Sequence, residues 1–115
     1  MDHLERVAAA VPQNARGVAF LHDVLEHTAT SGADLTALGL DPVELEAIRI
    51  LTRGPDETFE AHALRIAYAK GEAGRLAREV KLADIEDHLA YDQSTRPYQW
   101  ARCHIANRQS LQSVA

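Results

Sequence analysis

The chain predicts an all-α protein, a compact orthogonal bundle of about six or seven helices, and three observations carry that expectation. Apolar residues recur at the spacing of one helix face through most of the chain. No stretch sustains the alternation of a half-buried strand. Capping residues stand before several apolar runs, and glycine or proline stands after them.

The first segment, "HLERVAAAV", ends at Pro12, and Asn14 can cap a second helix that runs to about Thr28. "TSGADLTALGL" reads as a loop around a short helical turn with Gly39 as its stop. Asp41-Pro42-Val43-Glu44 is a helix start: an N-cap, a proline at the first helical position and an acid at the third. That helix should reach about Arg53, burying Leu45, Ile48 and Leu51 or their neighbours, before "GPDE" breaks it. Thr58 caps the next, "FEAHALRIAYAK", which Gly71 closes. The longest helix should cover Ala73 to Leu89 with Leu76, Val80 and Ala83 on its apolar stripe. Asp84 falls on the same stripe, so an acid points inward. "AYDQSTRP" is a loop, and a last helix from Tyr98 to about Leu111 precedes a frayed tail.

At 115 residues the chain makes one domain and can bury a core without disulfides. A 46% hydrophobic and 25% charged composition is that of an ordinary globular protein and argues against disorder. The single cysteine, Cys103, cannot form an internal disulfide and fits a reducing cytosol. With no apolar run of membrane-spanning length and no signal peptide pattern, a cytoplasmic protein without membrane association is expected. A net charge of −5 argues against wrapping nucleic acid, although a small phosphorylated ligand remains compatible with a local cationic spot.

One stretch does not fit a plain core. "FLHDVLEHT" places His22, Asp23, Glu26 and His27 in a segment whose neighbours Val18, Ala19, Phe20, Leu21, Val24 and Leu25 are apolar. Helical spacing sets His22 over Glu26 and Asp23 over His27, making one polar patch. Buried carboxylates and imidazoles are costly unless paired or metal-bound. His3, the His22-Asp23 pair and Asp84 are therefore candidate ligands of a divalent cation, for which imidazole plus carboxylate suits manganese, iron, zinc or magnesium. Each residue also has a plainer reading. His22 can be a satisfied core histidine, Asp84 can pair with Lys81 one turn back, and His3 can be exposed and idle.

Together these residues resemble the signature of the HD-domain metal-dependent phosphohydrolases: an isolated His, an adjacent His-Asp pair and a distant Asp. More narrowly, "HLERVA", "AFLHDVLEHT", "LTR" and "VKLADIEDHL" resemble the hydrolase domain of the alarmone (guanosine tetra/pentaphosphate) synthetase-hydrolases and their small single-domain relatives, over residues 3 to about 89. The resemblance implies a single HD-type domain across the chain, starting without the family's usual N-terminal helix. It implies one divalent metal ion, manganese first and iron, magnesium, zinc or nickel as alternatives, held by His3, His22, Asp23 and Asp84. It also implies Glu26 and His27 as proton-handling residues, and Arg53, Lys81 and His88 as substrate contacts. Arg75 and Arg78 are further cations nearby, and each of these cations also reads as a solvated surface charge, while His62 and His104 match no motif and read as structural or surface residues. Three positions depart from the family pattern: His27 stands where an acid is usual, His88 where an Asn is usual, and Ile85 where an Arg is common.

The expected function is hydrolysis of a small nucleotide phosphate or pyrophosphate, with the alarmone 3'-pyrophosphate as the first substrate. The alternative is an HD-fold module that binds metal or nucleotide for regulation, which the substitutions at 27 and 88 favour. The oligomeric state is left open.

Overall fold

A computed structural model describes residues 3–11, 15–21, 34, 37, 39–91 and 96–114. These form six helices: α1 (His3–Ala10), α2 (Arg16–Leu21), α3 (Pro42–Leu51), α4 (Phe59–Tyr68), α5 (Gly71–Tyr91) and α6 (Arg96–Val114). No strand occurs among the described residues, so the protein is an all-α bundle.

Local chemistry explains where α3 and α4 begin. Asp41 accepts a hydrogen bond from the Glu44 N–H at 2.8 Å, and the Glu44 carboxylate accepts one from the Asp41 N–H at 3.2 Å. This reciprocal pair satisfies two donors that a helix start otherwise leaves open. Thr58 caps α4 through the Ala61 N–H at 3.1 Å. α3 stops at Leu51, with Thr52 extended as its C-cap.

The boundary between α4 and α5 differs from the sequence expectation. α4 ends at Tyr68 with Ala69 as its cap, and Gly71 opens α5 instead of closing α4. Gly71 has φ +74°, a conformation that suits glycine, and it reverses the chain within the short turn between the two helices. α5 therefore gains a residue pair at each end, and α6 likewise extends beyond the expected range at both ends.

α5 is the organising element, since it packs against each of the other five described helices. Val7, Val18, Ala47, Ile48, Ala63, Ile66, Leu76, Ala77, Val80, Ile85, Ala101 and Ile105 belong to one continuous core. Fully burying an aliphatic side chain of this kind stabilises by about 1.5–3 kcal/mol. The radius of gyration, 13.4 Å, is that of a single compact globule. No helix among the described residues is long and apolar enough to cross a membrane.

Polar groups also enter this interior. Arg78 is fully buried, a correction to its expected place among surface cations near a ligand. Its guanidinium donates to the carbonyl oxygens of Ala69 and Ile66 at the C-terminal end of α4 and to the Gln109 side chain of α6. A cation suits that end of a helix, where carbonyls lack partners and the dipole is negative. Burial, with Arg108 and Arg75 nearby, pulls the Arg78 pKa below the usual arginine range. Gly74 makes the same junction possible, because the Ala69 carbonyl lies where a side chain would stand.

Candidate metal centre

Two of the expected ligands stand on α1 and α5. His3 is the first residue of α1. Asp84 lies on α5, and its side chain is only 8% exposed, so the acid on the apolar stripe does face inward. The backbone of His3 is described but its side chain lies outside the described residues. His22, Asp23, Glu26 and His27 lie outside them altogether. Among the described residues no group of three or more His, Cys, Asp or Glu side chains forms a metal-holding cluster. Asp84 is the one expected ligand whose side chain falls within that set.

Two other expected site residues, Lys81 and His88, flank Asp84. Lys81 Nζ donates to Asp84 Oδ2 at 3.3 Å, one turn back on α5. His88 Nε2 stands 3.8 Å from Asp84 Oδ1, one turn forward. The ammonium side chain is 15% exposed, so this pair is less screened than a surface contact. The His88 ring is itself fixed by stacking on Tyr98 of α6, at 4.5 Å between centroids and 11° between planes. Tyr98 in turn meets Phe59 of α4 edge-on at 5.5 Å. Thus the imidazole beside Asp84 is held by a ring of α6, which in turn packs on α4.

Arg53 lies in the segment between α3 and α4. It is exposed, and its Nε donates to the Glu57 carbonyl at 2.8 Å within the loop between α3 and α4. The same loop holds a second polar assembly. Arg65 makes two bonds to the Glu57 carboxylate, at 2.8 and 3.0 Å, and one to the Thr52 carbonyl at 2.9 Å. His62 is buried, with Nδ1 3.2 Å from Glu57 Oε1. The Arg65 guanidinium holds the Glu57 carboxyl at a pKa of about 2, with the Gly54 N–H assisting and burial opposing. An open cleft of about 560 Å³ lies over this loop, lined by Arg49, Thr52, Gly54, Asp56, Glu57 and Arg65. Asp84 is not among the described residues that line it. His62 is thus enclosed in this assembly, and His104 lies against Trp100 at 4.6 Å between rings.

Sequence reasoning missed Arg6 and Asp87. The Arg6 guanidinium bonds both carboxylate oxygens of Asp87, through Nε to Oδ1 and through Nη2 to Oδ2, the latter at 3.1 Å. The pair ties α1 to α5. A signal was present in part, since Asp87 follows Asp84 at helical spacing and therefore shares its inward stripe.

No family model matches the chain, and no curated protein matches it.

Proposed function

We propose that the protein is a metal-dependent phosphohydrolase of the HD type, acting on a nucleotide phosphate or pyrophosphate, with an alarmone 3'-pyrophosphate as the first substrate to test. The observation that carries this reading is the acid of "VKLAD": Asp84 is turned into the bundle on its central helix, with Lys81 and His88 beside it.

In this reading His3, His22, Asp23 and Asp84 hold one divalent ion. Bound there, the ion would supply a water of lowered pKa and would offset phosphate charge. Glu26 takes the proton of the attacking water on its carboxylate, and His27 shares it through a ring nitrogen. Lys81 adds positive charge close to Asp84, where a phosphate would gather negative charge. His88 has two roles open to it, contacting the substrate and orienting Asp84 from its stack on Tyr98. Arg53 serves the phosphate only if its bond to the Glu57 carbonyl is exchanged for one to the ligand.

The test begins with manganese binding by the purified protein, followed by phosphate release from a panel of nucleotide phosphates. Asp84→Ala and Asp23→Ala should both lose the metal, whereas Glu26→Gln should keep it and lose rate, because the carboxamide cannot take a proton. A wild-type protein that binds no divalent metal sinks the proposal. Metal binding without turnover of any nucleotide would favour the regulatory alternative.

A further inference from the structure

Apolar side chains at a protein surface are ordinary when scattered and informative when gathered. Among the described residues the exposed large apolar side chains are Val43, Leu64, Tyr68, Trp100 and Leu111, and the last four stand on α4 and α6. These two helices lie side by side and run in the same direction, since Phe59 meets Tyr98 near their starts and Arg108 lies over the Tyr68 ring further along, 4.5 Å from its centroid. On α4 helical spacing puts Glu60, Leu64 and Tyr68 in one exposed row. Arg65 turns to the other flank, toward Glu57 and Thr52. On α6 Trp100, His104, Arg108 and Leu111 form the adjoining row, with the Trp100 and His104 rings 4.6 Å apart. Arg102 turns away from it, to Glu86 of α5. The two rows make one face.

Charge is distributed unevenly along this face. Glu60 and Trp100 stand toward the start of the two helices, Tyr68 and Arg108 toward the far end, and Leu64 and His104 between them. The Arg108 Nε is buried without a hydrogen-bond acceptor among the described residues. An acid at one end and a base at the other make the face complementary to itself after half a turn. We propose that a second copy of the chain docks here, antiparallel about a two-fold axis between Leu64 and His104, so that Glu60 meets the partner's Arg108 and Trp100 meets the partner's Tyr68. Symmetry makes each contact twice. A parallel pairing would set Glu60 against its own copy, and an acidic peptide would answer Arg108 but face Glu60 with like charge. An anionic lipid surface would meet Glu60 and a chain of net charge −5. The face is about 20 Å long and about 20 Å wide, or about 400 Å² per copy, which places the dimer among small and reversible interfaces. This docking is independent of the metal-site reading.

Sedimentation equilibrium of the full chain, from micromolar to near-millimolar concentration, should show a reversible equilibrium between monomer and dimer. Glu60→Arg and Arg108→Glu should each weaken the dimer about tenfold, because symmetry places like charges at two sites. Mixed in equal amounts, the two variants should form a heterodimer as tight as the wild-type dimer, since each then offers the charges that the other lacks. Leu64→Glu, at the centre of the face, should leave the chain monomeric with the circular dichroism of the wild type, and it decides the matter if the Arg108 variant does not fold. A wild type that is monomeric at every concentration overturns the proposal. So does a dimer indifferent to Glu60→Arg and Leu64→Glu, which would lie on another face, and so do charge variants that stay apart when mixed. Association into ever larger species would show a head-to-tail contact instead. A chain that stays monomeric while binding phosphatidylserine vesicles or polyglutamate through this face would assign it to lipid or to an acidic protein, and the second copy would be ruled out.

Discussion

Replacing Gly74 with alanine sets two effects of opposite sign against each other. Inside a helix the change alone stabilises by about 1 kcal/mol, because glycine gives up more backbone freedom on folding. A Cβ at this position, however, would stand 2.3 Å from the Ala69 carbonyl oxygen and 2.5 Å from its carbon, where ordinary contact begins at 3.4 Å. The obstacle is backbone, and its oxygen is already bound by Arg78, so it cannot swing aside as a side chain would. Relief requires shifting the turn between α4 and α5 by about 1 Å. Overpacking of this kind costs about 1–3 kcal/mol, and loosening the Arg78 bond adds about 1 kcal/mol or more. Strain therefore exceeds propensity, leaving a net loss of about 1–3 kcal/mol. At roughly 4 °C per kcal/mol for a domain of this size, the melting temperature should fall by about 4–12 °C. Thermal and urea unfolding followed by circular dichroism measures it. A Gly74→Ala protein as stable as the wild type, or more so, would refute the close approach of the turn.

Two further outcomes follow from buried or tightly held charges. The Glu57 pKa is about 2 in the folded protein, below the ordinary 4.5, so its contribution to stability is present above pH 4.5 and lost as pH falls toward 2. Glu57→Gln should be less stable at pH 7 and should lack that part of the acid transition; parallel stability curves for the two proteins would contradict the ion pair with Arg65. Arg78→Met should lower the stability measured by urea unfolding by about 2–6 kcal/mol, since a buried acceptor that loses its donor costs about 1–3 kcal/mol and the Ala69 carbonyl and the Gln109 side chain each lose the bond from Arg78. A loss below about 1 kcal/mol would mean that the helix end finds other donors.

What could be read from the sequence was whatever depends on near neighbours. Asp41 and Glu44 are three residues apart, as are Thr58 and Ala61, so their caps were visible as spacing alone. The inward turn of Asp84 followed from helical period against Leu76 and Val80, and its contact with Lys81 from the same period. Arg78 was misplaced because its partners lie on other helices, at Ile66, Ala69 and Gln109, and nothing near it in sequence reports them. Gly71 was read as a stop because glycine ends helices more often than it opens them; the packing of α4 on α5 decided otherwise. Tyr98 and His88 stack across two helices, and Arg6 finds Asp87 across most of the chain, so neither contact was legible. As for the metal site, Asp84 and its two neighbours are in view, while the expected residues between His22 and His27 lie outside the described part of the chain.

The separation between Arg6 and Asp87, 81 positions, also governs when this contact can first exist. Closing a loop of that length from a flexible chain costs about 4 kcal/mol in entropy, which nothing local to α1 can offset. On a ribosome, α1 leaves before α5 and waits. At about 5–20 residues per second its partner follows roughly 4–16 s later. During that interval α2 is on hand to cover part of α1, but Arg6 has no Asp87, and the side of α1 that packs on α5 waits for the longest helix to emerge.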